Sequence, residues 1–359
     1  MDYINYVKQY PIMGMIGYGG GAASLGRFSA GGEPVPNGST FFGDRALITG
    51  GYTPTTVNEI EVKNITNNSD STDFGDLLEA RRGGMGASDG VRGITAGGRS
   101  PDGSATDMIQ YKVIPFGAGD ASVDFGNLTP EGRNNGASSS DGTRAIFLGG
   151  GGPNDYTGHS NGQIITTQTL GNATVCGSLP ANRIGCCGAS NGTRGIVAGG
   201  SSNAQRNQIA ADIYYFTMAS FGSGSTASSF GNLTPAMAHG GGTDFAGAAA
   251  NTTRMIYMMG RTRYNAPPNY ENAISQQCVY ITVATTSNAT DFGDNQDQPT
   301  SDLSGFGNAT RGGFGGGYGT GFRNSLKYFT YDTLSNSTGF GDLGGGDRAG
   351  TASMSGAAS

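Results

Sequence analysis

Apolar residues fall along most of this chain in short runs of about five, set between polar turns and closed by glycine pairs. The clearest run lies in 190–200, SNGTRGIVAGG. Close copies are DGVRGITAGG at 89–98 and DGTRAIFLGG at 141–150. Weaker ones are GDRALITGG at 43–51, NTTRMIYMMG at 251–260 and NATRGGFGGG at 308–317. Their internal arginines, Arg45, Arg92, Arg144, Arg194, Arg254 and Arg311, stand 47 to 60 residues apart. In the clear copies an Asp-Gly or Asn-Gly pair reverses the chain, because Asn and Gly tolerate positive φ. A β-branched run then suits a strand, and Gly-Gly ends it and admits close backbone approach.

Three further patterns complete the unit. A second run follows each arginine run: IEVKNI at 60–65, IQYKVI at 109–114, IITTQTL at 164–170, IYYFTM at 213–218, CVYITV at 278–283 and LKYFTY at 326–331. A third carries a buried-looking aromatic: TDFGDL at 72–77, VDFGNL at 123–128, SFGNL at 229–233, TDFGD at 290–294 and GFGDL at 339–343, with TVCGSL at 174–179 as a variant. The fourth starts on arginine, as in RRGGMGAS at 81–88 and RIGCCGAS at 183–190, with 133–140 alongside. Four short strands repeated at a period near fifty predict an all-β chain, a single β-propeller of four-stranded blades. Six units are counted. Fragments at 15–20 (MIGYGG) and 40–44 (TFFGD) leave a seventh open.

The two ends of the repeat region are complementary. The first unit starts at its Arg45 run and lacks the arginine-led strand that precedes the other runs, and the last runs past Leu343 into GGGDRAGTAS, placing Arg348 where Arg133 follows Leu128. A ring closed by this C-terminal strand removes the exposed sheet edges. The reading therefore divides the chain into a propeller over 43–359 and a segment over 1–42, a docking arm or partial blade carrying Tyr3, Tyr6, Tyr10, Ile12 and Met13.

Composition narrows the partners. Glycine supplies 66 of 359 residues and only 13% are charged, which without the repeat would read as disorder. Net charge is −6 with no basic cluster, so no nucleic-acid binding is expected. No apolar run reaches about 18 residues, so no membrane insertion is expected. Residues 1–30 lack a basic stretch followed by an apolar one, and no ordinary secretory signal is read there. Cys176, Cys186, Cys187 and Cys278 have neither CxxC spacing nor nearby histidines, so they read as buried thiols and no metal is expected. The five Phe-Gly copies share letters with a kinase motif but not its context, and read as packing aromatics.

The stretch 179–200, LPANRIGCCGASNGTRGIVAGG, resembles the kelch repeat: Pro-Arg-x-x-Gly, an apolar strand, a turn, a second strand and Gly-Gly. The resemblance covers about 43–359 and lacks the customary tryptophan, whose place the DFGDL phenylalanine takes. The NATDFGDL and SNGTRG phrases are also similar to those in structural proteins of tailed phages, marine ones especially. The first resemblance implies that the arginine-led strand is innermost, with Arg81, Arg133, Arg183 and Arg348, and His239 at the fourth gap, forming a cationic ring at the central channel. Such a ring suits carboxylates or phosphates. The other reading of these arginines is structural, each bonding carbonyls or an acid of the adjacent blade. The second resemblance implies a virion component, in a tail fibre or other appendage.

Two loops break the period, 151–162 and 261–270, and loops on a rigid scaffold are where binding concentrates. Tyr156, His159, Arg263, Tyr264 and Tyr270 are the candidates there for contact with a partner or glycan. With two histidines and no paired-carboxylate or Ser/His/Asp pattern, the chain is expected to be non-enzymatic and to need no cofactor. The leading expectation is a structural or adhesion component of a virus particle, made in the host cytoplasm, joined to other virion proteins through 1–42 and displaying its loops to a host-surface glycan or protein. The alternatives are a cellular kelch-like interaction module and, last, a propeller glycan lyase or hydrolase.

Overall fold

Six four-stranded antiparallel sheets repeat around a central channel in the computed structural model, which describes residues 43–114, 120–153, 157–202, 209–233, 245–258, 260–263 and 272–356. From the inside outward, blade 1 is Ala352–Gly356, Arg45–Thr49, Glu59–Asn64 and Thr72–Asp76. Blade 2 is Met85–Ser88, Arg92–Ala96, Met108–Val113 and Val123–Asn127. Blade 3 is Ala137–Ser140, Arg144–Leu148, His159–Thr166 and Thr174–Arg183. Blade 4 is Cys187–Ser190, Arg194–Ala198, Asp212–Thr217 and Ser228–Asn232. Blade 5 is Gly247–Ala250, Arg254–Met258, Gln277–Thr282 and Thr290–Asp294. Blade 6 is Ser304–Gly307, Arg311–Gly315, Ser325–Thr330 and Thr338–Asp342. The molecule is a six-bladed β-propeller, and residues 15–20 of the fragments that left a seventh blade open lie outside the described residues.

Burial falls from the axis outward, and the hydrophobic pattern follows it. Innermost strands are mostly Gly, Ala and Ser because six of them converge. A Cβ on Gly86 would stand 2.2 Å from the Ser353 carbonyl oxygen, and one on Gly305 2.2 Å from that of Ala248. Serine hydroxyls stitch these strands together: Ser190 Oγ donates to Ser140 O, Ser140 Oγ to Ser88 O, and Ser353 Oγ to Gly305 O. Second strands are buried on both faces and therefore read as unbroken apolar runs. Third strands are half-buried and alternate. Outside blade 3, fourth strands are exposed apart from one phenylalanine and the residue beside it. Phe125, Phe230 and Phe292 each meet a third-strand tyrosine edge to face, at 6.2, 5.9 and 5.5 Å between centroids.

In blade 3 the apolar pattern starts at Ile164 and misses the polar start of the strand at His159; in the other five blades it places the third strand one residue too late, and the reason is visible. Ile65, Ile114, Val283 and Tyr331 are buried just past their strands, where their N–H groups close a turn onto residues 44, 91, 253 and 310. Burial there belongs to the turn, which a hydrophobic pattern alone does not separate from the strand.

Blades are joined by repeated devices. The glycine of each Phe-Gly pair abuts the next blade: a Cβ on Gly75 would stand 2.0 Å from Asp120 O, and one on Gly126 2.4 Å from Gly171 O. Arg92, Arg144, Arg194 and Arg311 donate to carbonyls of the following blade, at Thr167, Ala219, Val283 and Ile65, and Arg254 does so at Tyr331. The last strand closes the ring by pairing antiparallel with the first, from Arg45↔Gly356 to Thr49↔Ala352.

Candidate functional site

Antiparallel blades put all connections between second and third strands at one end of the molecule, together with the connections that lead from blade to blade. The described parts of the two period-breaking loops, 151–153, 157–162 and 261–263, both follow a second strand and belong to the first kind. They therefore share one mouth of the channel. The opposite end carries the repeated Asx turns, in which Asp89, Asp141, Asn191, Asn251 and Asn308 each accept two backbone N–H bonds through Oδ1.

The mouth is built on a ring that the sequence conceals. Two residues beyond Arg81, Arg133, Arg183 and Arg348, and at the matching places of the other two blades, stand Gly83, Asn135, Gly185, Phe245, Asp302 and Gly350. All six have φ between 53° and 69°. The N–H of each donates to the carbonyl of its predecessor around the circle: Asn135 to Gly83, Gly185 to Asn135, Phe245 to Gly185, Asp302 to Phe245, Gly350 to Asp302 and Gly83 to Gly350, at 2.6–2.9 Å. Glycine, Asn and Asp accept the left-handed region readily, whereas a phenylalanine there is strained.

Above this ring lies a bowl of about 320 Å³ lined by Tyr52, Arg82, Arg99, Ile184, Tyr318 and Phe322 together with Gly83, Asn135, Phe245, Asp302, Ala349 and Gly350. Phe322 stands edge to face with both Tyr52 and Tyr318, at 5.5 and 5.2 Å. The Arg82 guanidinium lies 4.2 Å over the Tyr52 ring, and that of Arg261 lies 4.1 Å over Phe245 while pairing with Asp302 at 3.5 Å. Tyr318, which lines the bowl, is 43% exposed, unusual for a large aromatic here. Beneath the ring, the innermost strands enclose a narrower space that Cys186 and Cys187 line. Burial raises the Cys186 thiol to about 11 and lifts that of Cys187 further.

The arginines proposed for the channel sit elsewhere. Arg81, Arg133, Arg183 and Arg348 are 1–6% exposed, none lines the channel, and each turns back into the blade that it introduces. Arg81 donates to the carbonyls of Gly97 and Met108, and burial brings its guanidinium down to about 10. Arg133 meets Asn161 and Glu131, Arg183 meets Asp212, and Arg348 meets Glu59 and Glu61. An innermost strand only 4–5 residues long ends before it reaches these arginines, so the heads anchor blade edges and are withdrawn from the axis. His239 lies outside the described residues.

Of the loop candidates, His159 opens the third strand of blade 3 with Nδ1 3.8 Å from Glu131. Arg263 ends a short strand, Arg261–Arg263, paired with Asn272–Ile274. Tyr156, Tyr264 and Tyr270 lie outside the described residues, as do Tyr3, Tyr6, Tyr10, Ile12 and Met13. The bowl residues escaped the sequence reading because repeat analysis favours what recurs. Their signal is the reverse: the position after each glycine doublet reads Tyr52, Arg99, Gly151, Ser201 and Tyr318, with Arg261 at the matching place of blade 5, so side chains differ on a backbone that repeats. Among the described residues no cluster of three or more His, Cys, Asp or Glu is placed to hold a metal. The chain matches no family model and no curated protein sequence.

Proposed function

We propose that this protein is a kelch-type propeller acting as a non-enzymatic recognition and assembly module of a virus particle, in a tail fibre or similar appendage. The observation that carries the reading is the contrast between the two ends. One end is paved with near-identical Asx turns; the other carries an aromatic, charged bowl to which the second-to-third strand connections of blades 1, 2 and 6 give Tyr52, Arg99, Tyr318 and Phe322, side chains that differ from blade to blade. A rigid repeated frame presenting unlike side chains at one mouth is the arrangement of a binding scaffold. The phage-like phrases and low-charge composition support the particle assignment, and the aromatic segment 1–42 supplies the docking arm in this reading.

The test is mass spectrometry of purified virus particles whose genome carries the sequence, paired with a variant lacking residues 1–42. The parent is expected in particles at a fixed ratio to known structural proteins, and the shortened chain is expected to fold but stay out. Absence of the parent from particles overturns the particle assignment, and normal incorporation of the shortened chain overturns the arm.

A further inference from the structure

We infer that the bowl binds an acidic sugar residue, its ring stacked on Tyr318 and its carboxylate held by Arg82. This rests on the recognition reading of the mouth and adds the ligand class. Three observations carry it. The volume of about 320 Å³ is at the lower end of the roughly 300–1,000 Å³ usual for small-molecule sites, the size for one or two sugar rings. The lining mixes flat aromatic faces with planar polar groups. Tyr52, Phe322 and Tyr318 form one continuous row of rings, and Arg82, Asn135 and Asp302 stand around it. A pyranose offers the complement, with C–H groups on its faces and hydroxyls around its edge.

The sign of charge selects the acidic member of that class. Arg82 lines the bowl with its guanidinium over the Tyr52 ring, in a protein whose net charge is −6. Asp302, the carboxylate of the described lining, pairs with Arg261 at 3.5 Å. The guanidinium of Arg82, stacked on Tyr52, keeps its edge for a bidentate bond to a carboxylate.

The third observation is strain. Phe245 occupies a left-handed backbone position, φ 56°, that three blades fill with glycine. Backbone strain of this kind gathers at ligand sites. Here it keeps an aromatic ring, backed by Arg261, at the base of the bowl.

The experiment is calorimetric titration of the full-length chain with digalacturonic acid and with its neutral counterpart digalactose, using acetate as a control for anion binding alone. The acid disaccharide is expected to bind and the neutral one to bind at least tenfold more weakly. Tyr318→Ala is expected to lower affinity about three- to tenfold and Arg82→Gln about tenfold, with melting temperatures close to the parent's. Phe245→Gly is expected to melt higher than the parent yet bind more weakly, which a purely structural residue would not do. Equal binding of the two disaccharides, binding matched by acetate, absence of binding at millimolar sugar, or variants that bind like the parent overturns the inference. If the protein is found in particles and the bowl takes no acidic sugar, this inference alone falls. If the sugar binds and particles lack the protein, the particle assignment falls.

Discussion

At the residue scale, the buried arginines settle how a low-charge chain uses its few charges. Arg348 is 1% exposed and meets Glu59 and Glu61, the second of them 3% exposed in its side chain. Removing one partner of a buried ion pair leaves the other charge stranded, which costs ~3–5 kcal/mol. Arg348→Met is therefore expected to lower stability by about 3 kcal/mol in urea titration, somewhat less than the full range because Glu59 is half exposed. A loss below about 1 kcal/mol would show that the pair contributes little beyond a surface one. The arginines were legible in the sequence as a set but not in their direction. Repetition marks a shared role without distinguishing a head that faces the axis from one folded back into its own blade. That difference depends on where each innermost strand ends, which Gly, Ala and Ser runs do not announce.

At the element scale, blade 3 shows how an exception to the pattern is repaired. Its fourth strand carries Cys176 where the other blades carry phenylalanine. Phe221, just after the short helix Met218–Ser220, stacks on Phe216 at 4.2 Å and packs in one cluster with Cys176 and Leu179. Gly177 leaves the space, since a Cβ there would stand 2.6 Å from the Phe221 ring. Phe221→Ala should cost ~3–5 kcal/mol, as for other buried phenylalanines, although Phe221 stands outside every repeated strand. A change below about 1 kcal/mol in chemical denaturation would mean that blade 3 tolerates the gap. Strand types and their order could be read from burial pattern alone, because each layer of the blade has its own period. The replacement aromatic could not, since nothing in 218–221 repeats elsewhere and its partner is chosen in space.

At the scale of the whole molecule, the closing strand Ala352–Gly356 holds the first and last blades together through five paired residues. Deleting 344–359 removes that strand, exposes the edge at Arg45–Thr49 and takes Arg348 with it, so the single cooperative thermal transition should be lost. A truncated chain that melts sharply at the parent's temperature would show that the ring does not need its clasp. The complementarity of the two ends made this closure legible from sequence. The six-bond circle at the mouth was not, because its members, Gly83, Asn135, Gly185, Phe245, Asp302 and Gly350, share a backbone conformation and no side-chain type. That circle has a consequence for how the mouth moves. A chain of donors and acceptors joined head to tail has no first or last member, so lifting any one petal breaks two bonds and leaves two bare N–H groups and two bare carbonyls, whichever petal it is. Small excursions of a single blade then meet the same resistance all the way round, and the flower keeps its aperture until it opens as one.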